Sequence, residues 1–128
     1  MNLAAHALLL AALTLLAAAA PPARAEGDAA NGEKQFQRRC AICHSLRAAA
    51  TKPTGPHLEK LIGRKAGTVD GFGYSPAMKA SGIEWTEKSL DEYLAAPAKL
   101  VPGTSMPAGA PQAADREDIV AYLKTLSK

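Results

Sequence analysis

Both cysteines of the chain lie in the run Cys40-Ala41-Ile42-Cys43-His44. Residues three apart share one face of a helical turn, so both thiols can add to the two vinyl groups along one edge of a haem. The imidazole of His44 would then project over the macrocycle, where it can bind the iron as proximal ligand. This is the attachment pattern of a c-type haem. The run therefore predicts one haem c (iron) per chain, covalent through Cys40 and Cys43.

Other interpretations of these residues explain less. A Cys-x-x-Cys pair can form a thioredoxin-like redox site, but that site needs a βαβ context, and the flanks here predict helix and loop. A structural zinc site normally takes four protein ligands, and His57 is the only further histidine after His44. A disulfide across two intervening residues is strained. Neither the disulfide nor the redox site accounts for His44.

A second iron ligand is available from the methionines. Besides Met1, only Met78 and Met106 carry a thioether. Met106 lies in a Pro/Gly loop, where a methionine has no helical core stripe to join. Met78 falls in a short predicted helix, where packing against the cofactor is the expected role. We therefore expect Met106 to bind the iron opposite His44.

Residues 1–25 predict a secretory signal peptide. An apolar run of alanine and leucine extends to Ala20 and is short for a membrane span. The small residues Ala23 and Ala25 suit cleavage before Glu26. Lysine and arginine are missing from the first residues, so an uncleaved membrane anchor is the alternative. We expect export to the periplasm, with residues 26–128 as one small domain.

The charge and composition of the chain limit which kinds of molecule it can bind. The formal net charge is +3, and loss of Arg24 with the signal peptide lowers it to about +2. A dense lysine and arginine stripe with interleaved aromatic residues is missing, which argues against nucleic acid as a partner. Aromatic residues make up 5% of the chain, and so small a domain buries only a modest core. We expect haem to complete that core and the haem-free protein to be largely unfolded.

The elements that must position the site are helices and loops. A first helix is predicted from Asp28 to about Arg39, and it delivers Cys40. Gly32 inside this helix lowers its stability relative to alanine and suggests close approach of another element. An apolar stripe with acidic residues in its first turn and Lys124 in its last predicts a helix over 115–127.

The middle of the chain, between the first and last predicted helices, is predicted to contain a long loop and two shorter helices. Residues 45–70 are rich in Lys, Pro, Gly and Thr without periodicity and predict an ordered loop. A short helical turn follows from Pro76 to near Gly82, and then a helix that Thr86 opens and Pro97 ends. Since strand-like alternation is not sustained anywhere, the predicted class is all-α.

Specific short motifs follow one another along nearly all of residues 26–128. They are Gly27-Asp28, Gly32, Phe36, Cys40 to His44, Thr54-Gly55-Pro56, Gly63-Arg64-Lys65, Gly71-Phe72-Gly73-Tyr74, Gly82-Ile83-Glu84-Trp85, Tyr93-Leu94, Pro102 to Met106 and Arg116 to Leu123. In their order and spacing the chain resembles the small soluble monohaem cytochromes c, of the bacterial cytochrome c2 and mitochondrial type. The resemblance implies the cytochrome c fold, in which short helices and loops wrap around one covalently bound haem.

The resemblance also implies roles for single residues. The carbonyl of Pro56 would accept the second imidazole N–H of His44. Tyr93 would hydrogen-bond near the Met106 sulfur. The haem propionates would be surrounded by Arg64, Tyr74, Trp85 and Thr104. Two residues of the first helix would pack against the last helix, with the contacts formed by Gly32, Phe36, Ile119 and Tyr122.

Some positions depart from the family pattern. Met78 stands where an asparagine is usual, which removes a polar partner on the propionate side. His57 also replaces a common asparagine, and we expect it to be an exposed titrating side chain. Ser105 and Ala98 replace family lysines. Steering toward acidic partners should therefore be weak, because the basic ring is thinned to residues such as Arg39, Lys52 and Lys99.

The function implied by the resemblance is that of a soluble one-electron carrier, cycling Fe(III) and Fe(II) between respiratory or photosynthetic redox partners. Such partners would be a membrane cytochrome complex, an oxidase or a reaction centre. The protein would be a monomer and not an enzyme, without a small-molecule substrate. The alternatives are a haem enzyme or gas sensor with an open iron, and a non-haem thiol-redox protein.

Overall fold

The structure, a computed structural model, describes residues 26–50 and 52–128. Its helices are α1 (Ala29–Arg39), α2 (Pro76–Ala80), α3 (Glu87–Ala95), α4 (Pro97–Leu100) and α5 (Ala113–Thr125), with a single 3-10 turn at Ala48–Ala50. Within these residues the β-structure is limited to two isolated bridges. The predicted all-α class is confirmed. The predicted signal peptide, residues 1–25, lies outside the described residues.

Helix α1 begins and ends where the sequence predicts. The Asp28 carboxylate accepts hydrogen bonds from the backbone N–H groups of Ala30, at 2.9 Å, and Asn31, at 3.1 Å. These two donors would otherwise lack partners in the first helical turn. Arg38 and Arg39 occupy the last turn, where positive charge meets the negative end of the helix dipole.

The main packing contact joins α1 to α5. A Cβ built on Gly32 would lie 1.9 Å from the carbonyl oxygen of Asp118, so only glycine lets the two backbones approach this closely. Phe36 and Ile119 are each 1% exposed, and the Phe36 and Tyr122 ring centroids are 5.9 Å apart. The expected close approach at Gly32 is confirmed, and it fixes the end of α1 that leads into Cys40.

Helix α5 lies two residues earlier at each end than the predicted range 115–127. Its start carries no capping side chain, because Gln112 makes no hydrogen bond there. Arg116 instead donates to Asp91 at 2.9 Å and thereby ties the first turn of α5 to α3. A tertiary ion pair of this kind leaves no local pattern by which the boundary could be predicted.

The helix predicted to end at Pro97 needs a correction. Thr86 caps α3 through a reciprocal pair of hydrogen bonds with Ser89, as a helix start requires. Helix α3 already ends at Ala95, however, and Pro97 is the first residue of the separate helix α4. Proline ends a preceding helix but also suits the first helical position, where its missing N–H is not needed. The sequence analysis took Pro97 only as the end of the preceding helix, and so missed α4.

The loop over residues 45–70 is anchored by buried apolar side chains, as its predicted order requires. Leu61 is 3% exposed and Val69 is 9% exposed, and an isolated bridge pairs Lys65 with Glu84. This loop and the segment between α4 and α5 both line a cavity that also includes Cys40 and Cys43, next to the end of α1. No helix in the part of the chain that the structure describes is long and apolar enough to cross a membrane.

Candidate haem-binding site

The turn after α1 carries the thiols. The backbone N–H of Cys40 donates to the Phe36 carbonyl at 2.8 Å, and those of Cys43 and His44 donate to the Cys40 carbonyl at 3.0 and 2.9 Å. The chain thus continues in a helical turn, which keeps Cys40 and Cys43 on one side. Both thiols are free and both line the cavity, together with His44.

The Cys40 thiol does not suit thiol-redox chemistry. Burial raises its pKa to about 11, and although the charge of Arg39 opposes this shift, Cys43 adds to it. A reactive Cys-x-x-Cys site instead depends on a thiolate formed at a lowered pKa. The described residues also contain no cluster of three or more His, Cys, Asp or Glu side chains that could hold a metal ion. The thioredoxin-like and zinc interpretations therefore find no support here.

His44 is oriented by the backbone of the facing loop. Its Nδ1 lies 2.8 Å from the Pro56 carbonyl oxygen, and because a carbonyl can only accept, the assigned tautomer carries its proton on Nδ1. Nε2 is then left with a lone pair for a metal ion. Burial lowers the pKa of His44 and so favours this neutral form, against the opposing effect of the Pro56 hydrogen bond.

Gly55 is the reason the loop can approach the imidazole. A Cβ at this position would lie 2.8 Å from His44 Cε1 and 2.7 Å from the Cys43 carbonyl oxygen. The Thr54 hydroxyl lies 3.4 Å from the same carbonyl. Lys52 Nζ donates to the carbonyl of Ala41. The loop is therefore fastened to the Cys-x-x-Cys turn at two carbonyls that precede His44.

Met106 reaches the cavity from the loop after α4. The Thr104 N–H donates to the Val101 carbonyl at 3.0 Å, and the Met106 N–H donates to the Thr104 hydroxyl at 3.3 Å. The Tyr93 hydroxyl pairs with the same Thr104 hydroxyl at 2.6 Å. The partner of Tyr93 is therefore the Thr104 hydroxyl, which also accepts from the Met106 backbone; a Tyr93 bond near the Met106 sulfur stays a prediction.

The cavity is also lined by Arg64, Tyr74 and Trp85, the remaining predicted site residues. Arg64 donates to the carbonyls of Glu59 and His57, both at 2.9 Å, and burial lowers the pKa of its guanidinium. The Tyr74 hydroxyl accepts from the Val69 N–H at 3.2 Å, which leaves its own proton free to donate. Trp85 packs on Tyr93 with ring centroids 5.2 Å apart.

The cavity brings all ten predicted site residues together. It encloses about 980 Å³ between its lining atoms, counting the part open to solvent. The predicted residues that line it are Cys40, Cys43, His44, Pro56, Arg64, Tyr74, Trp85, Tyr93, Thr104 and Met106. Met78, 7% exposed, also lines it, in keeping with its expected packing role.

Several lining residues escaped the sequence analysis. Leu58 and Leu61 come from the aperiodic loop, and Leu123 from α5. Leu58 and Leu61 are spaced by three, but a pair in a loop without periodicity gives no usable signal. Leu58 and Leu61 line the cavity with apolar side chains because the loop folds over it.

His57 does not occupy the exposed position expected of it. The residue is partly buried, and its Nδ1 is buried without a hydrogen-bond partner among the described residues. The carbonyl of His57 accepts a hydrogen bond from Arg64 at 2.9 Å, which fixes the backbone at this point. The prediction that His57 is an exposed side chain is wrong.

The geometry agrees with comparisons to known proteins. Residues 29–127 match the family model for Cytochrome c. The chain belongs to the cytochrome c family. Proteins of the cytochrome c family are electron carriers with covalently bound haem.

Relatives in the cytochrome c family extend over most of this chain. Cytochrome c2 of Blastochloris viridis is 45% identical over 113 residues, covering 88% of this chain and 87% of the relative. Cytochrome c-type cyt cy of Rhodobacter capsulatus is 46% identical over 108 residues, or 84% of this chain, but the match spans only 53% of that relative. The structure of cytochrome cH from Methylobacterium extorquens aligns with a TM-score of 0.70 and 44% identity, covering 77% of this chain and 99% of that one.

The cavity residues fit the haem of a cytochrome c. Two free thiols three residues apart line one side, and His44 presents a neutral imidazole whose Nδ1 is already bonded. Met106 offers a thioether, and the donors Arg64 and Tyr74 suit carboxylates that would otherwise be costly to bury. The donor set of soft sulfur and imidazole is one that haem iron accepts.

Proposed function

We propose that this chain is a soluble one-electron carrier with one haem c. The single observation that carries the proposal is the arrangement of His44. Its Nδ1 is committed to the Pro56 carbonyl at 2.8 Å, beside two free thiols and within the same cavity as Met106. An imidazole fixed in this tautomer is prepared to bind a metal ion through Nε2.

The residues would divide the work of holding the group. Cys40 and Cys43 would tether haem c through thioether bonds, and His44 and Met106 would hold its iron. When bound, the haem supplies the Fe(III)/Fe(II) couple that accepts and releases one electron. A neutral thioether opposite a histidine, in an apolar pocket, favours the ferrous state and raises the reduction potential.

The polar side chains of the cavity would bind the haem propionates. Arg64 is immobilised by two backbone carbonyls, so its positive charge is in place before any carboxylate binds. Tyr74 retains a proton to donate, and we place Trp85 and Thr104 in the same group. Fixed donors of this kind offset the free energy lost when carboxylates leave water. Tyr93, through Thr104, would hold the Met106 loop against α3.

If His44 and Met106 both held the iron, no position for a substrate would be left on it. On this ground we propose a carrier and not an enzyme, without a small-molecule substrate. A closed ligand set that stays the same in both oxidation states reorganises little, which suits electron transfer.

Localisation and partners follow from the sequence. We propose that residues 1–25 direct export and are removed, so that residues 26–128 act in the periplasm as a monomer. The partners would be redox proteins: a membrane cytochrome complex together with an oxidase or a reaction centre. Nucleic acid is not among the proposed partners, because the chain lacks a dense basic stripe.

The test is to mature the protein in a periplasm and to measure its redox behaviour. Mass spectrometry should give the mass of residues 26–128 plus one haem. Ascorbate should reduce the protein reversibly, and membranes that contain an oxidase should reoxidise it. The ferrous protein should bind CO slowly or not at all at neutral pH.

A protein that cannot be cycled, or that binds CO rapidly, would instead support an open-iron enzyme or gas sensor. Cys40→Ala/Cys43→Ala is the colourless control.

A further inference from the structure

The residues just before α1 lie directly against the last helix. A Cβ built on Gly27 would fall 2.1 Å from the Glu117 carbonyl oxygen, so the chain at this point has no room for a side chain. This contact is separate from the one at Gly32, because it is formed before the first turn of α1. Gly27 is therefore fixed against the backbone of α5 in the folded protein.

The Asp118 carboxylate fixes the same segment through two hydrogen bonds. One of its oxygens accepts from the backbone N–H of Asp28 at 2.7 Å, and the other accepts from the side-chain amide of Asn31 at 2.5 Å. Hydrogen bonds to a charged acceptor are stronger than those between neutral groups. We call the contacts of Gly27, Asp28 and Asn31 with α5 the N-terminal clasp.

Glu26 lies just outside the N-terminal clasp. Its side chain is 94% exposed, and its ion pair with Lys124 spans 4.0 Å. An exposed ion pair of this kind adds little stability. The contacts of the clasp therefore form equally well whether or not further residues precede Glu26.

The clasp begins next to the bond at which the signal peptide is proposed to be removed. Hydrolysis of the amide between Ala25 and Glu26 adds water, leaving a carboxylate on Ala25 and a new amine on Glu26. A bound peptide segment in extended form is held mainly through its backbone hydrogen-bonding groups. Glu26 and Gly27 together span at most about 7 Å, so an enzyme that binds both sides of this bond would collide with α5. The next backbone donor, the Asp28 N–H, is already bonded to Asp118.

We propose that folding closes the processing site: once the N-terminal clasp has formed, signal peptidase no longer cuts before Glu26. Cleavage then has to precede folding, and a chain that folds first keeps residues 1–25. The order of the two events thus determines whether the cleaved form or the uncleaved, membrane-anchored form is produced. The proposal rests on the signal peptide proposed above and does not alter the carrier function of the folded domain.

The experiment compares how fast purified signal peptidase, in detergent, cuts two full-length precursors. The haem-containing precursor is collected from cells whose own signal peptidase is inhibited. The Cys40→Ala/Cys43→Ala precursor, which we expect to be largely unfolded, has the same residues around the cut and is the open reference. Mass spectrometry identifies the cut and gives its rate. The haem-containing precursor should be cut at least about 100-fold more slowly, because cleavage must wait for the clasp to open.

Asp118→Ala tests the clasp itself. Loss of both hydrogen bonds should speed cleavage of the haem-containing precursor about tenfold, with a visible spectrum that shows the haem is retained. In the Cys40→Ala/Cys43→Ala precursor the same substitution should change the rate less than about twofold, because the clasp is already open there. Asp70→Ala is the matched control. It removes an exposed carboxylate far from the clasp and should change neither rate by more than about twofold.

Gly27→Ala opens the clasp in a second way, because its Cβ does not fit against α5. Since Gly27 lies close to the cut, its cleavage rate in the haem-containing precursor is divided by its rate in the Cys40→Ala/Cys43→Ala precursor, so that any direct effect on recognition cancels. This ratio should rise about tenfold above that of the original chain.

The outcomes distinguish closure of the site from cleavage itself. Equal cleavage rates for the haem-containing and the reference precursor would overturn the closure and leave the signal peptide in place. Protection that survives both Asp118→Ala and Gly27→Ala would show that the clasp is not what shields the bond. If neither precursor is cut, residues 1–25 are an uncleaved anchor, and cleavage and closure are both wrong. Reversible reduction of the uncut haem-containing precursor by ascorbate tests the carrier function separately in every case.

Discussion

At the scale of single residues, His44 illustrates what spacing can and cannot predict. The sequence placed His44 next to the thiols, but the hydrogen bond to Pro56 that sets its tautomer joins residues 12 apart. That distant partner was expected only from the resemblance. His57 had no such support, and its buried Nδ1 could not be foreseen, because burial depends on how the whole loop over residues 45–70 folds.

Met106→Ala tests the ligand set directly. Removing the thioether should abolish the far-red sulfur-to-iron absorption band of the oxidised holoprotein and allow CO to bind the reduced form. It should also lower the reduction potential by on the order of 100 mV, since axial ligands move haem potentials over about 0.8 V. Visible spectroscopy and redox titration measure these changes. Met78→Leu is the matched control and should keep the band; a band that survives Met106→Ala but not Met78→Leu would assign the sulfur to Met78.

Tyr93 should make stability depend on alkaline pH. Burial raises the pKa of Tyr93 in the folded protein, against the opposing hydrogen bond with Thr104, whereas an unfolded tyrosine titrates near about 10. The contribution of Tyr93 is therefore fully present below about pH 10 and is lost as pH rises through the higher folded-state pKa.

The measurement is the free energy of unfolding of the holoprotein at several pH values from 9 upward. Tyr93→Phe should lower stability by about 1 kcal/mol at pH 9 through loss of the Thr104 bond. It should also reduce the decline above pH 10, by at most about 1.4 kcal/mol per pH unit for one proton. Parallel pH profiles for the two proteins would contradict the assignment to Tyr93. Tyr122, whose pKa burial also raises, should maintain part of the decline in the variant.

At the scale of elements, the helices with clear end signals were predicted well and the others were not. Asp28 and Thr86 cap α1 and α3 as their sequence context requires. Helix α4 is one turn long and starts with Pro97, a residue that equally marks the end of the preceding helix. The start of α5 depends on Arg116 binding Asp91 of α3. Local sequence does not contain that tertiary contact, so the boundary was misplaced by two residues.

Gly32→Ala tests the contact between α1 and α5. Alanine would normally stabilise a helix interior by about 1 kcal/mol over glycine. Here its Cβ would fall 1.9 Å from the Asp118 carbonyl oxygen, which forces the helices apart. We expect a net loss of about 3 kcal/mol in the free energy of unfolding, at the upper end of overpacking effects. Denaturant unfolding of the holoprotein measures it. Gln37→Ala, on the exposed face of α1, should stay within about 0.5 kcal/mol; equal stability of both variants would refute the contact.

At the scale of the whole molecule, the core and the cofactor cavity share their walls. Among the described residues, the buried apolar side chains that also line the cavity are Leu61, Met78, Trp85, Leu90, Tyr93, Leu94, Ile119 and Leu123. Phe36 and Tyr122, between α1 and α5, belong to the part of the core that does not line it. Composition predicted a small core, but not which side chains would face the cavity. That division depends on how the loop over 45–70 folds back, and such long-range placement has no periodic signal.

Removal of the haem should therefore unfold most of the domain. In Cys40→Ala/Cys43→Ala, side chains from α2, α3 and α5 would face an unfilled cavity instead of a packed surface, and so would lose both burial and dispersion contacts. Helical circular dichroism should fall well below that of the holoprotein, and heating should give no cooperative transition. Residual helix should be confined to α1 and α5, whose contact through Gly32 and Phe36 is independent of the cavity.

Met106→Ala keeps both thiols and should still melt cooperatively, which separates loss of the haem from loss of one ligand. A haem-free protein with a sharp, native-like transition would mean that the polypeptide core alone suffices.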